Sequence, residues 1–316
     1  GFNQYAPMPG LMALREQIAE KTKQLYGASY DPDLEITVTA GATQALYAAI
    51  SAFVREEDEV IVFEPAYDSY VPAIKLNGGM PIVFRLKQPG FRIDWDEVRR
   101  LLSARTRMII INTPHNPSGT ILTEEDIKQL DKLTRNSGII VLSDEVYEHI
   151  LFDGHTHQSV CRFPSPIERS LVICSFGKTF HATGWKTGYC LAPAQLMKEF
   201  RKIHQFMVFA SNTPVQYALA EYLMYQQKRD FFVRAVESSR FQVVPALGTY
   251  FQLLDYSAIS DEDEMDFARR LVAEHKIAAV PVSSFYNKPH NMQLLRFCFA
   301  KSEETLEKAA SVLCKV

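Results

Sequence analysis

The feature that most constrains the fold of this chain is a repeated alternation of short apolar runs with helical patterns. The runs lie at residues 35–39, 59–63, 108–112, 139–143 and 171–175. They are rich in β-branched residues and apolar on both faces, as strands buried in a parallel sheet are. Strands that alternate with helices predict an α/β fold, in which helices cover a mostly parallel sheet.

Helical patterns fill most of the intervals between these runs. The predicted helices are 43–54, one that begins at a capping box at Thr123 and ends at Gly138, 194–224 and 226–237. The last two follow a change of pattern after Gly188, where the regular alternation stops.

The last third of the chain mixes strands and helices more densely. Its predicted strands are 242–244, 250–254 and 294–299, and its predicted helices are 263–275 and one that begins at Ser302. This mixture is typical of a smaller α+β domain. We therefore predict a large domain at 1–224, which includes the long helix, and a small domain at 225–316.

Composition excludes several classes of protein. The 316 residues carry 34 basic and 37 acidic side chains, and a net charge of −3 argues against a nucleic-acid or polybasic membrane surface. No apolar run approaches the roughly 20 residues of a membrane span. The first residues have no secretory signal pattern, so we expect a cytoplasmic protein.

Cysteine and histidine spacing gives no strong metal signal. The five cysteines are odd in number and form no C-x-x-C pair, so buried thiols in a reducing compartment are favoured over disulfides or a metal site. The pair His155-x-His157 lies in a polar stretch, where a solvated loop is favoured over a metal site.

Four polar motifs follow predicted strands, at the edge where open α/β sheets bind ligands. They are Gly41-Ala42-Thr43, residues 112–119 with Asn112 and Asn116, residues 143–147 with Asp144 and Tyr147, and residues 175–178 with Ser175 and Lys178. The first suits a phosphate at a helix N-terminus, but such a glycine is also common in turns. Turn chemistry explains the second motif as well as ligand binding does.

The other two motifs carry groups that are chemically more demanding. Asp144 follows four apolar residues, so its carboxylate needs a partner, either a structural arginine or lysine or a cationic ligand. A lysine desolvated beside a buried strand acts as a nucleophile toward aldehydes, and the alternative is a lysine whose amine reaches the surface. Lys186 places a second cation near Lys178.

Ser175-x-x-Lys178 with Lys186-Thr187-Gly188 also matches motifs of penicillin-binding proteins. Two features exclude that assignment. The two motifs are only a few residues apart, and the required Ser-Asp-Asn is absent, since Ser143-Asp144-Glu145 precedes Ser175 in the chain.

Together the four motifs resemble the fold-type I, pyridoxal-5'-phosphate-dependent aminotransferases of class I/II. The resemblance runs from Asn3 to Ala300, and the stretch from Ser175 to Gly188 is its most specific part. It implies a seven-stranded sheet. Several stretches look most similar to bacterial methionine aminotransferases, and next to kynurenine and glutamine transaminases.

The resemblance also implies a role for each matching residue. Lys178 is similar to the lysine that forms the Schiff base, Asp144 to the partner of the ring nitrogen, and Arg296 to the arginine that binds the substrate carboxylate. The other matches are Gly41, Ala42, Thr43, Ser175 and Lys186 around the phosphate, Tyr67 on the ring, Asn116 and Tyr147 beside the ring oxygen, Asn112 as a further cofactor-binding residue, and Tyr5, which reaches the neighbouring subunit of a homodimer. Lys186 replaces the commoner arginine of the family, which keeps the charge without the forked geometry.

The resemblance implies a double displacement between an L-amino acid and a 2-oxo acid. Arg296 would hold the substrate carboxylate, with Asn116 and Tyr67 beside the substrate. Ionised Asp144 would keep the ring nitrogen protonated, and Lys178 would move the proton as base and then acid. Aromatic residues in two loops, 206–209 and 284–286, suit methionine or aromatic side chains, although such spacing is more often core.

Two alternatives use the same cofactor. A C–S β-lyase shares the ring-binding residues and differs by releasing ammonia. A transcriptional regulator with an aminotransferase-like sensor domain would carry a basic DNA-binding module ahead of that domain.

Overall fold

The computed structural model describes residues 2–246, 251–286 and 291–316, apart from the side chains of 222–227. The chain forms two compact units, Gly1–Ala220 and Glu221–Val316. The predicted domain boundary at 224/225 lies a few residues beyond this division and stays a prediction. Within the described residues, no helix combines the length and apolar character that crossing a membrane requires.

The first unit contains a seven-stranded sheet with the order β1-β7-β6-β5-β4-β2-β3. Its strands are β1 Ile36–Thr39, β2 Glu59–Glu64, β3 Met80–Arg85, β4 Thr106–Asn112, β5 Ile140–Asp144, β6 Ser170–Ser175 and β7 Gly188–Leu191. The strands from β3 to β6 pair in parallel, whereas β7 is antiparallel to both β6 and β1. The α/β fold and the mostly parallel sheet are thereby confirmed, and β1 alone of the predicted runs pairs only with an antiparallel neighbour.

Helices surround this sheet. They are α1 Met12–Tyr26, α2 Ala42–Phe53, α3 Tyr70–Leu76, α4 Trp95–Leu101, α5 Glu124–Thr134, α6 Pro164–Ile167, α7 Phe176–Thr179 and α8 Ala194–Met207, with 3-10 turns at Val160–Arg162 and Thr183–Trp185. Helix α9, Thr213–Ala235, begins in the first unit and continues into the second. The core is formed by apolar residues of α2 packed on the sheet, among them Leu46 and Ile50 against Val62 and Ile110. Burial of this apolar surface is the main force that stabilises the unit.

The second unit contains a four-stranded antiparallel sheet with the order β10-β11-β9-β8. Its elements are β8 Gln242–Val244, β9 Phe251–Asp255, α10 Glu264–Arg270, a π-helical turn Leu271–His275, β10 Val280–Pro281, a 3-10 turn Val282–Phe285, β11 Leu294–Cys298 and α11 Glu303–Leu313. Phe232, Leu254, Phe267 and Leu295 lie in its apolar core.

The predicted helix break near 225 is wrong. Helix α8 ends at Met207, and α9 runs unbroken from Thr213 to Ala235. Phe209 adopts a left-handed conformation with φ 67°, which interrupts the helix. The Asn212 side chain then accepts from the backbone N–H of Val215 at 3.2 Å, which caps the new helix start.

Two strands of the large sheet were missed for different reasons. Edge strand β3 has one buried residue, Phe84, among exposed and half-buried ones, and it contains Pro81, so it has no run that is buried on both faces. Strand β7 is only four residues long and begins at a glycine that resembles a turn residue. Helix α5 begins at the predicted capping box but ends at Thr134, before Gly138.

Candidate active site

The sheet topology brings the four motifs to one edge. Asn112 lies opposite Asp144 in the β4–β5 pairing, and Gly188 lies opposite both Thr39 and Ser175. Because β7 is antiparallel to its two neighbours, β1 and β6 end at the same side of the sheet as β4 and β5. Residues that are far apart in sequence therefore meet at the carboxyl ends of these strands.

These strand ends border one cavity of about 220 Å³. Most of the predicted site residues line it, namely Gly41, Ala42, Thr43, Tyr67, Asn112, Asn116, Asp144, Tyr147, Ser175, Lys178 and Lys186. Leu46, Val146 and Thr183 also line it and were not predicted. Each of these three lies within a few residues of a predicted one, which is the signal that would have indicated them.

One end of the cavity suits an anion. Gly41 has φ 85°, a conformation that favours glycine, and α2 begins directly after it with no side-chain cap. The first N–H groups of a helix have no acceptor within the helix, and the dipole adds positive potential there. Lys186 lies beside this helix start, because a Cβ built on Gly41 would be in van der Waals contact with Cε of the lysine at 3.6 Å. The hydroxyl of Thr43 lies 3.2 Å from that of Tyr67.

The other end contains a buried acid. Asp144 is 3% exposed, the Tyr70 hydroxyl donates to its Oδ2 at 2.5 Å, and the Val146 N–H donates to its Oδ1 at 3.3 Å. Burial raises the pKa of Asp144 to about 6, although both hydrogen bonds oppose that shift. Burial and the neighbouring carboxylate raise the pKa of Tyr70 well above its usual value, so Tyr70 remains a donor.

The structural ion pair considered for Asp144 is wrong. Its hydrogen-bond partners in the described part of the chain are Tyr70 and Val146, and no described lysine or arginine forms an ion pair with it. A buried carboxylate with a raised pKa is stabilised by a cationic group that enters the cavity. A protonated pyridine nitrogen fits this environment, and the anion site fits a phosphate.

Asn112 fixes the neighbouring loop. Its Nδ2 donates to the carbonyl oxygen of Asp144 at 3.0 Å, and its Oδ1 accepts from the backbone N–H of Asn116 at 2.7 Å. The Asn112 amide therefore joins the motif at residues 112–119 to the motif at residues 143–147. Asn116 and Tyr147 both line the cavity, where they are available as donors to a ligand oxygen.

Lys178 lies at the centre of this lining. Its Nζ is 5.6 Å from the centre of the Tyr147 ring. The expected desolvation of Lys178 is wrong, because the single turn α7 buries Phe176 and Gly177 and leaves the lysine exposed. The amine thus faces the open cavity and is accessible to an aldehyde.

The prediction that His155 and His157 both lie in a solvated loop is wrong for His157, because a buried acid next to Asp144 contacts it. Glu145 is fully buried, and its carboxylate contacts Nε2 of His157 at 2.7 Å and accepts from the Ser143 hydroxyl at 2.7 Å. His157 is buried rather than solvated, whereas His155 is exposed. No group of described residues has the make-up of a metal site.

The five cysteines are free thiols. Cys161, Cys174 and Cys190 are buried, as expected, and Cys314 is half-buried. Cys298 is exposed, contrary to expectation, because β11 alternates and Cys298 lies at its outward end.

Two predicted residues lie elsewhere in the chain. Tyr5 is 79% exposed in the N-terminal segment, edge-on to the Phe209 ring at 5.2 Å. Arg296 lies on β11 in the second unit, with its Cζ 3.8 Å from the Phe251 ring centre and 4.8 Å from that of Phe285. Its Nε is buried and has no hydrogen-bond partner among the described residues.

The aromatic residues of the two predicted substrate loops are exposed. Phe206 is 88% exposed, Phe209 55%, Phe285 60% and Tyr286 49%. The alternative that these residues form core is therefore wrong.

Comparison with known proteins agrees with this architecture. The model of the family described as aminotransferase class I and II matches residues 1–313. Methionine aminotransferase of Escherichia coli is 52% identical over 99% of this chain and 84% of its own length. Human kynurenine–oxoglutarate transaminase 1 is 33% identical over 97% of this chain and 83% of its own length.

Solved structures give the same result. An E. coli protein whose structure and reactivity identify a methionine aminotransferase function has a TM-score of 0.70 and 51% identity, over 100% of this chain and 87% of that one. An aromatic aminotransferase from Pyrococcus horikoshii has a TM-score of 0.68 and 31% identity, over 100% and 88%. The chain belongs to the class I and II aminotransferases, enzymes that use pyridoxal 5'-phosphate to transfer an amino group between an amino acid and a 2-oxo acid.

Proposed function

We propose that the cavity holds pyridoxal 5'-phosphate between the N-terminus of α2 and the carboxylate of Asp144. The phosphate would be bound by the groups of Gly41, Ala42, Thr43, Ser175 and Lys186. Tyr67 would cover the ring, and Asn116 and Tyr147 would donate to its phenolic oxygen, with Asn112 holding Asn116 in place. The observation that carries this proposal is Asp144, a buried carboxylate that lines the cavity and forms no ion pair with a described lysine or arginine.

The bound cofactor supplies a conjugated ring that withdraws electrons from Cα of the amino acid. Ionised Asp144 stabilises the positive charge on the ring nitrogen, an interaction that is strong in a poorly solvated site. The Lys178 amine would hold the cofactor covalently at rest. Once the substrate had released it, the amine would take the Cα proton as a general base and then donate it, as a general acid, to the cofactor carbon that bears the transferred nitrogen.

Arg296 is proposed to bind the α-carboxylate of the substrate. Its guanidinium is bordered by two aromatic rings, and its Nε is without a described partner. Two parallel N–H donors match a carboxylate in a way that an ammonium group does not. Asn116 and Tyr67 are proposed to contact the same substrate.

Replacement of the lysine tests this assignment. We expect Lys178→Ala to reduce transamination by about a thousandfold or more and to abolish the visible absorption of bound cofactor. Lys202→Ala, on the exposed face of α8, is the matched control and should retain both. A Lys178→Ala enzyme with normal turnover would refute the assignment.

We propose an L-amino acid with a methionine or aromatic side chain as the preferred donor. The exposed aromatic residues of the two loops support this preference, and so does similarity to a methionine aminotransferase and a kynurenine transaminase. A panel of amino acids assayed with one 2-oxo acid tests it. The proposal predicts that kcat/KM is highest for methionine or an aromatic donor, and a maximum for aspartate or glutamate would contradict it.

A homodimer is proposed as the working form, with Tyr5 reaching the cofactor phosphate of the neighbouring subunit. Its support is a group of exposed aromatic residues in the first unit, namely Phe2, Tyr5, Phe206, Phe209 and Tyr217. Phe2 stacks on Tyr217 with ring centres 3.9 Å apart. Exposed aromatic surface of this kind marks protein interfaces.

We also propose a cytoplasmic location. All five cysteines are free thiols, as expected in a reducing compartment. Fractionation of cells that express the full-length protein tests this, and enrichment in a secreted or membrane fraction would contradict it.

A further inference from the structure

A buried carboxylate in the second unit has no role in the chemistry proposed above. Glu264, the first residue of α10, is 1% exposed. It accepts hydrogen bonds from three backbone N–H groups, those of Ser283, Met292 at 3.0 Å and Leu294 at 3.1 Å. No described lysine, arginine or histidine forms an ion pair with it. Three N–H donors offset the free-energy cost of burying this carboxylate.

The three donors lie in two described parts of the second unit. Ser283 is in the turn Val282–Phe285, and the other two donors lie where β11 begins. Glu264 therefore joins this turn to the start of β11. Its own position is rigid, because Asp263 caps α10 by accepting from the N–H groups of Met265 and Asp266, each at 2.9 Å.

The turn Val282–Phe285 carries the Phe285 ring, which borders Arg296. Phe285 follows Ser283 by two residues, and its ring centre is 4.8 Å from Cζ of Arg296. Phe251 on β9 provides the second ring, at 3.8 Å. The Nε of Arg296 is buried without a described hydrogen-bond partner, so these two rings are the groups that orient the guanidinium plane.

We propose that Glu264 is a positioning residue for recognition of the substrate carboxylate. By joining the turn Val282–Phe285 to the start of β11, it keeps Phe285 over the guanidinium, so that Arg296 is pre-oriented toward a carboxylate. The inference rests on the proposed function, which assigns the carboxylate to Arg296. It adds an anchor that does not line the cofactor cavity, governs substrate affinity and leaves the cofactor-binding residues unchanged.

Glu264→Gln tests the anchor in the cofactor-loaded enzyme. An amide has one acceptor oxygen, so a buried N–H group loses its partner. We expect the KM for methionine to rise about 10-fold, with kcat and the cofactor absorption unchanged. The inhibition constant of 4-(methylthio)butanoate, a carboxylate without an amino group, should rise by the same factor. Asp266→Asn, an exposed acid of the same helix paired with Arg269, is the matched control and should change neither value.

Phe285→Leu provides a second route that leaves the buried carboxylate intact. We expect it to raise the KM for methionine and the inhibition constant of 4-(methylthio)butanoate. In the double variant Glu264→Gln/Phe285→Leu, both constants should be no higher than in the more impaired single variant. Such non-additivity is the signature of two residues that act through one contact. Additive effects, or an effect of Glu264→Gln on kcat alone, would overturn the proposal.

Arg296→Lys separates this inference from the proposed function. If it leaves the KM and the inhibition constant unchanged, Arg296 is not the carboxylate arginine and the proposed function is wrong at that point. If it raises both constants while Glu264→Gln raises neither, only the role of Glu264 is refuted.

Discussion

At the scale of single residues, the environment of Asp144 decides what the cavity can bind. Burial raises the pKa of this acid to about 6, and the hydrogen bonds from Tyr70 and the Val146 N–H, with the charge of Lys178, act against that shift and favour the ionised form at neutral pH. Burial alone would favour the neutral acid, which cannot pair with a cationic ring. The Tyr70 hydrogen bond is therefore part of the cofactor site, although Tyr70 is not among the residues that line the cavity.

Tyr70→Phe tests this dependence on pH. Loss of a hydrogen bond to the charged form raises the pKa of Asp144 further, by about one unit. Because tight binding needs ionised Asp144, we expect cofactor affinity in the wild type to fall as pH drops through about 6. In the variant this fall should begin at a higher pH. Fluorescence titration of cofactor-free protein between pH 5 and 8 measures both curves.

Tyr30→Phe is the control for this experiment. Tyr30 is also buried, and its hydroxyl contacts Cys161 rather than an acid of the cavity. Its curve should coincide with that of the wild type. Coincident curves for Tyr70→Phe and the wild type would show that Tyr70 does not tune Asp144.

The site residues at strand ends could be predicted from the sequence, whereas the buried residues that form hydrogen bonds with them or with their neighbours could not. Asn112, Asp144 and Lys178 are recognisable because each directly follows or ends a run of buried residues. Tyr70 and Asp144 are 74 positions apart, and nothing in either local pattern indicates that they meet. The pairing of Glu145 with His157 was missed for the same reason, since a buried histidine and a solvated one have the same sequence signal.

At the scale of elements, an ionic cluster attaches α1 to the segment that follows β5. Glu148 accepts from Nζ of Lys21 at 2.5 Å and from the hydroxyls of Tyr26 at 2.5 Å and Tyr189 at 3.1 Å. Burial raises the pKa of Glu148, but Lys21 and the other donors outweigh burial and hold it at about 2. The cluster holds Tyr147, the residue before Glu148, against the cavity.

Lys21→Met removes one partner of this cluster. An uncompensated buried carboxylate is expected to cost about 3 kcal/mol or more in the free energy of unfolding. Because the pKa of Glu148 is lowered in the folded protein, its contribution is present above about pH 4.5 and is lost as pH falls toward 2. The variant should therefore lose most stability at neutral pH and least in acid. Chemical denaturation across this pH range measures the difference.

Lys23→Met, an exposed position on the same helix, controls for loss of a lysine. It should unfold within about 0.5 kcal/mol of the wild type. Equal stability of Lys21→Met and Lys23→Met would mean that the cluster contributes nothing.

Helix boundaries were predicted less well than helix positions. The interruption between α8 and α9 is signalled locally by Asn212 followed by Thr213 and Pro214, a helix-start pattern that the apolar periodicity of the region concealed. Strand β3 could not be predicted for a different reason. It lies at the edge of the sheet and is mostly exposed or half-buried, so it lacks the continuous apolar run that identifies a strand buried on both faces.

At the scale of the whole molecule, the order of strands and helices predicted the fold class because alternation permits few architectures. The order of strands within the sheet was not predictable, since the antiparallel insertion of β7 depends on pairing across the sheet. The arrangement of subunits also lies beyond sequence periodicity. It depends on which exposed apolar residues face a second copy of the chain.

Phe206→Asp tests the proposed dimer. Phe206 is 88% exposed, so its replacement should leave the fold of the subunit stable. A charge at the centre of an apolar interface is expected to weaken association, and we predict a shift toward monomer in sedimentation velocity at micromolar concentration. Phe152→Asp, at a position 74% exposed on a different loop, should leave the mass unchanged. A monomeric wild type would refute the dimer directly.

Gly188 has a consequence for how the enzyme tolerates motion. A Cβ atom there would lie 2.6 Å from the carbonyl oxygen of Cys174 and 3.1 Å from the amide nitrogen of Ala42. A single bare backbone thus separates the start of α2 from the strand that leads to Lys178. The spacing between the N-terminus of α2 and that strand is consequently set by the width of one peptide strand. In the proposed site this width would fix the distance between the phosphate and the Lys178 amine, and we expect that distance to stay constant while loops around the cavity rearrange.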